Sequence, residues 1–179
     1  MVTRTILTYG DYAALPDDGR RHELHEGELS LIPAPGTHHQ SILIGLGALL
    51  HRHVTERGLG RVFVAPTDCI LSDDTVVQPD ILFVDTEHRS LISERGIEGP
   101  PTLAIEVLSP STADTDRGRK SRLYARHGVP WYWIVDPAAH AIDVYRLVGD
   151  AYQLADRLTD PGAMPPLLDL TVDPAAIWL

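Results

Sequence analysis

Two segments of strand length, VVQPDILFV (76–84) and PTLAIEVL (101–108), each carry one carboxylate inside an otherwise apolar run. In a strand alternate residues share a face, so Thr102, Ala104, Glu106 and Leu108 point one way and Leu103, Ile105 and Val107 the other. By the same alternation Asp80 lies on one face with Val76, Gln78, Leu82 and Val84. A lone buried carboxylate shifts its pKa upward and neutralises, and two held close together repel unless a cation lies between them. The pattern therefore predicts two neighbouring strands whose acids converge on a cation, and oxygen donors of this kind suit a hard ion such as Mg²⁺ or Mn²⁺.

The flanking sequence supplies the elements that would hold these strands. ELHEGELSLI (23–32) reads as a hairpin with a Glu-Gly turn. Ile42, Leu46, Leu49 and Leu50 fall at helical spacing and predict a helix over about 38–57, stopped by Gly58 and Gly60. Three strands are expected in RVFVAPTDCIL, VVQPDILFVD and PTLAIEVL, then a second helix from Ser111 or Thr112 to His127, then strands in VPWYWIVD and AIDVYRL. The remainder, with Gly162 and several prolines, reads as a tail packed on the core. No repeat and no linker is visible, so the chain is expected to form a single domain, 1–179, of the α/β (α+β) class with a mixed central sheet.

On the second helix Asp116, Lys120, Leu123 and His127 are spaced so that Lys120 shares a stripe with the sheet-facing Leu123. An ammonium there could position or deprotonate an attacking water, or balance charge on a phosphate. Taken singly these residues have plainer readings: Asp80 as a strand-end residue beside Pro79, Glu106 and Lys120 as a structural ion pair. Their joint occurrence favours a site.

Charge and composition narrow the function classes. The 179 residues, 44% hydrophobic, suffice for one core. Fifteen Lys and Arg against 25 Asp and Glu give a net charge of −10, which opposes non-specific attraction to nucleic acid, so phosphate binding must come from a metal or a local basic patch. Arg119, Arg122 and Arg126, with Arg117 nearby, form a stripe that is either solvated or contacts phosphate. Cys69 is the only cysteine, which excludes an intrachain disulfide and a Cys-rich zinc site and suits a reducing cytoplasm. His51 and His53 are two apart on a helix and cannot clamp one ion together. Trp131, Tyr132 and Trp133 read as core or subunit contacts before a base-stacking platform. With no long apolar run and no leader visible in MVTRTILTYGDYAAL, a soluble, cytoplasmic chain with no membrane role is expected.

HELHEGEL, QPDILFV, LAIEVLSPST and DRGRKSRLYARHGVPWYWIVDP together resemble the Uma-type family of restriction-endonuclease-like proteins, a branch of the PD-(D/E)XK nuclease superfamily, over roughly residues 23–147. The resemblance implies an αβββαβ restriction-endonuclease-like core, with Asp80, Glu106 and the Val107 carbonyl as metal ligands. It implies Mg²⁺ (or Mn²⁺) as cofactor and double-stranded DNA as substrate. Superfamily members often carry a lysine two residues after this Glu, where the present chain has Leu108. Lys120 of the following helix is the expected substitute, and Glu23 and His39 are further candidates for the catalytic site. The expected activity is that of a metal-dependent endodeoxyribonuclease, with a catalytically silent interaction module as the alternative. Cutting both strands of a duplex would suit a homodimer.

Overall fold

The computed structural model describes residues 5–178; the first four residues, over which the sequence was read for a leader, lie outside the described residues. Helix α1 (Tyr9–Ala13) is closed at its start by a capping box between Thr8 and Asp11. Strands β1 (Arg21–His25) and β2 (Glu28–Ile32) form the expected hairpin, with Glu26 and Gly27 at φ 52° and 78° in its turn. Two positive φ angles match the right-handed twist of the paired strands, and only the second position is glycine. The long helix α2 (Thr37–Glu56) agrees with the apolar period to within a residue at each end.

Next come β3 (Gly60–Val64), β4 (Cys69–Ser72), β5 (Thr75–Val77) and β6 (Ile81–Asp85), then the two-residue strands β7 (Ile92–Ser93) and β8 (Gly96–Ile97), and β9 (Leu103–Val107). A π-helical segment, Thr115–Lys120, runs into α3 (Ser121–Arg126). Strands β10 (Trp131–Asp136), β11 (Ala141–Val148) and β12 (Ala151–Leu158) follow, and the chain closes with the pair β13 (Gly162–Met164) and β14 (Leu167–Val172).

Three expectations are corrected here. RVFVAPTDCIL is two strands, and VVQPDILFVD is two strands, because Pro66 and Pro79 break the runs and send the halves to different sheets. The second helix is not uniformly α-helical. The region after 150, expected as a tail packed on the core, does pack there through Leu158, Met164, Leu167, Leu170 and Val172, but as a strand and a hairpin.

The central sheet has the order β12-β11-β10-β9-β6-β3, with β9 and β10 parallel and the other pairs antiparallel. A second sheet, β2-β1-β5-β4-β8-β7, carries the hairpin. One face of the central sheet (Ile81, Phe83, Leu103, Ile105, Val107, Trp133, Val135) packs on Ile42, Leu46 and Leu50 of α2 and on the β13–β14 pair. The other face (Leu82, Val84, Ala104, Leu108, Tyr132, Ile134) packs on Leu123 and Tyr124 of α3 and on Cys69, Val77 and Ile97 of the second sheet. The odd-even division of β6 and β9 is the one the alternation predicts, and it leaves Asp80 and Glu106 facing the second core.

Close pairing of β3 with β6 depends on Gly60, whose φ is 152° and whose added Cβ would sit 2.1 Å from the Val84 carbonyl oxygen. Gly60→Ala is therefore expected to lower stability by about 1–3 kcal/mol, read as a lower urea midpoint; an unchanged midpoint would mean that the strand end relaxes freely.

Candidate active site

Asp80 stands immediately before β6, and continuing the antiparallel register Ile81↔Ile105 places it opposite Glu106. Asp80 Oδ2 accepts from the Val107 amide at 2.8 Å and lies 3.0 Å from His39 Nε2, at the start of α2. Glu106 Oε1 accepts from Lys120 Nζ at 2.9 Å and from the Tyr124 hydroxyl at 2.6 Å. In each carboxylate both donors fall on one oxygen, so the other oxygen of each carries neither. That leaves two hard oxygen donors on neighbouring strands, with the Val107 carbonyl adjacent in the chain. Among the described residues no group of three or more His, Cys, Asp or Glu side chains is arranged to cage a metal by itself. The donor set fits Mg²⁺ or Mn²⁺, which keep several waters and take one or two carboxylates, and it does not fit zinc.

The π-helical segment explains the second half of the site. Its wider turn holds Asp116 and Lys120 on one buried face, 3.8 Å apart, while α3 resumes with Leu123 and Tyr124 also buried. Lys120 Nζ contacts Glu106 Oε1 at 2.9 Å and Glu23 Oε1 at 2.9 Å. Glu23, fully buried on β1, also accepts from the Gln78 amide at 2.7 Å and meets His25 Nε2 at 2.8 Å. Hairpin, central sheet and helix thus meet on one ammonium.

Burial raises Glu106 well above the ordinary carboxylate range, and its acidic neighbours Asp116, Asp80 and Glu23 add to this against the pull of Lys120. Burial likewise lifts Asp116, to about 6. Burial works against the charge on Lys120, but Glu106, Glu23 and Asp116 outweigh it and raise its pKa, so the side chain is a fixed cation and not a base. Burial opposes ionisation of Glu23 as well, yet Lys120, His25 and the Gln78 amide hold it at about 2. Its stabilising contribution is present above its ordinary value of 4.5 and is lost as pH falls from there towards 2. Asp116 acts with the opposite sign: its contribution is complete below 3.8 and is lost as pH rises to about 6. Burial lowers the His39 pKa, but Asp80 above all, with the Val107 backbone and Asp116, outweighs it and raises the pKa overall.

All five side chains expected at the site are thus brought to one region. Asp80, Glu106, Lys120 and His39 line a single pocket of about 260 Å³, and Glu23 lies beneath it, bonded to Lys120. Sequence reading missed Asp116, Tyr124 and His25 as members of this network. Asp116 and Tyr124 each stand four residues from Lys120, on its face of the helix, and that spacing was the available signal. The signals set aside behave as expected or more plainly. His53 bonds Asp169, Cys69 is buried with its thiol pushed up by desolvation, and Tyr132 and Trp133 are fully buried. Of the arginine stripe, Arg117 pairs with Asp136 and Asp143, Arg119 with Glu28 and the His25 carbonyl, and Arg126 with Glu26. These guanidinium groups tie the helix to the hairpin and to β10–β11. No helix among the described residues is long and apolar enough to cross a membrane.

Asp80, immediately before β6, and Glu106 on β9 thus line one pocket with Lys120 of the following helical segment, on a mixed sheet flanked by helices. The crystal structure of a putative nuclease belonging to DUF820 from Anabaena variabilis superposes with a TM-score of 0.77 at 23% identity, covering 96% of this chain and 97% of that one, and establishes the fold. Residues 9–173 match the Uma2 family, described as "putative restriction endonuclease", and the chain belongs to that family. Two uncharacterised proteins of Synechocystis sp. are similar to it. One is 24% identical over 91% of this chain and 93% of its own length, the other 30% identical over 77% and 75%.

Proposed function

We propose that this protein, acting as one domain, is a metal-dependent endonuclease that hydrolyses phosphodiester bonds in DNA. The observation that carries the reading is the placing of Asp80, immediately before β6, opposite Glu106 on β9, each with its donors on one oxygen, beside a buried lysine whose charge the surrounding acids favour. Asp80, Glu106 and the Val107 carbonyl would hold Mg²⁺ or Mn²⁺. Such an ion, when bound, polarises a phosphoryl oxygen and lowers the pKa of a coordinated water.

The chain's own groups have separable tasks. Lys120 offers an ammonium to the charge that develops on the transferred phosphate, as preorganised cations do in phosphoryl chemistry. Glu23 fixes that ammonium from below, and Tyr124 fixes Glu106 through Oε1. His39 orients Asp80 through Oδ2 and, being charged at lower pH, competes there for the carboxylate.

Because burial disposes Glu106 to hold a proton while a ligand to a hard ion must be ionised, Mn²⁺ binding is expected to release protons and to tighten as pH rises. Calorimetry in two buffers of different ionisation enthalpy reads the release directly. Binding that is independent of pH and of buffer would remove Glu106 from the ligand set, and no binding at all would favour a silent module. Mn²⁺-dependent cleavage of DNA, with an RNA strand of the same sequence as control, tests the activity itself; cleavage confined to the RNA would overturn the assignment to DNA.

A further inference from the structure

The pocket that contains Asp80, Glu106 and Lys120 holds about 260 Å³, just below the roughly 300–1,000 Å³ usual for sites that enclose a small organic ligand. Residues 30–36, at the end of the hairpin and before α2, wall it on one side, and Ser109–Thr112 with Thr115 wall it on the other. Its reactive groups are recessed: the side chains of Asp80, Glu106 and Lys120 are only 10%, 4% and 6% exposed. A phosphate on the outside of a rigid, paired helix is held at the surface of a broad rod. A nucleotide freed from its stack is narrow and flexible enough to enter such a space, as a base extruded from a duplex enters the enclosed site of an enzyme that acts on it.

Two further observations agree. A paired duplex is bound largely through many phosphate contacts, and a chain of net charge −10 has few cations to offer. Among the described residues Arg21 is the one arginine that lines the pocket, its Nε donating to the neutral Gln78 Oε1 at 3.0 Å, whereas Arg117, Arg119 and Arg126 are engaged by the chain's own acids. Beside the carboxylates of Glu26 and Glu28, which face Arg126 and Arg119, the hairpin presents apolar side chains: Leu29 and Leu31 lie on the same side of β2, 40% and 55% exposed, and Leu31 lines the pocket. Apolar side chains offer nothing to a phosphate but pack on unstacked bases, as wedges between base steps do.

From these observations we infer that the substrate is DNA in unpaired form, a single strand or a nucleotide displaced from a duplex, entering the pocket between the hairpin end and the Ser109–Thr112 loop. The inference rests on the nuclease reading above and names the class of DNA it acts on. It departs from the double-stranded substrate expected from family resemblance, and a twofold dimer is not required for it.

The test uses the wild-type protein, Mn²⁺ at fixed ionic strength, and three DNAs of one sequence: a single strand, a duplex with a bulge of unpaired nucleotides, and a fully paired duplex. Cleavage of the first two is expected to be on the order of 10²-fold faster than that of the third, the factor set by the cost of unpairing and unstacking a nucleotide. Cleavage of the paired duplex as fast as the single strand overturns the inference and leaves the nuclease reading standing. If protein that binds Mn²⁺ by calorimetry cuts none of the three, the nuclease reading falls and the inference with it.

Discussion

Glu106→Gln is expected to abolish metal-dependent cleavage, by on the order of 10³-fold or more, because the charge stabilisation supplied through a bound metal amounts to several kcal/mol. The same variant should fold at least as well as the wild type. Glu106 is 3% exposed, and burial and the surrounding acids already press it towards its neutral form. An amide of the same shape still accepts the Tyr124 hydroxyl, and Lys120 keeps Glu23 as its partner. Replacing a buried ionisable group with a neutral isostere is often neutral or stabilising when the remaining charges stay paired. Asp80→Asn should behave alike, since its side-chain oxygen still accepts from the Val107 amide. Paired measurements of cleavage rate and urea midpoint check both variants. A Glu106→Gln protein that cuts DNA at the wild-type rate would move the metal elsewhere.

Lys120→Ala is expected to fail twice, losing activity by on the order of 10² or more and stability by about 3–5 kcal/mol. The stability loss arises because Glu23, Glu106 and Asp116 all surround the ammonium, and removing it leaves them buried without their cation. The two losses can be separated. Adding Glu23→Gln to Lys120→Ala removes one of the stranded charges and should restore much of the thermal midpoint while leaving cleavage low. Recovery of both together would make Lys120 a structural cation only. Lys120→Arg keeps the charge but brings a wider, planar group into a slot closed by Glu106 and Glu23, and is expected to restore stability better than rate. Moving the amine to position 108 meets a different obstacle. Leu108 is 8% exposed and packs with the apolar cluster of Leu123, Tyr132 and Ile134, so a lysine there would have to displace apolar contacts before reaching Glu106.

The lysine shows why the site was partly legible. Its membership in a sheet-facing stripe was readable from the spacing to Leu123, three residues on, because helical neighbours are set by local geometry. Its three carboxylate partners were not all readable, since Glu23 is 97 residues away in the chain and only the hairpin's docking against the helix brings it to 2.9 Å. Tyr124 stands four residues after Lys120, a spacing that puts both on one face of a regular helix, so its place was readable as well. What the composition of TDRGRK did not show was the π-helical segment before α3, which brings Asp116 to the same ammonium.

The arginine stripe was legible in part. Arg117, Arg122 and Arg126 are exposed and Arg119 partly so, as a run of like charges suggests, while the acids that meet three of them, Glu26, Glu28, Asp136 and Asp143, come from other elements and were not readable from the stripe. The C-terminal strands were missed because β12 is mostly exposed and lacks a clean alternation, so its pairing with β11 is decided by the partner strand and not by its own pattern.

The sequence by itself determined what depends on near neighbours: the hairpin turn at Glu26-Gly27, the length of α2, the faces of β6 and β9, and the presence of an acid on the same face of each. Tertiary structure alone decided that β6 lies beside β9 in the register that sets Asp80 against Glu106, that the hairpin carboxylate reaches the helix ammonium, and that the hairpin end and the Ser109–Thr112 segment wall one pocket with them. The division follows from the range of the forces involved. Backbone dihedrals and side-chain periodicity act over a few residues and are written in each segment, whereas the partner of a buried charge is chosen by the packing of whole layers, in which residues far apart in the chain compete for the same space.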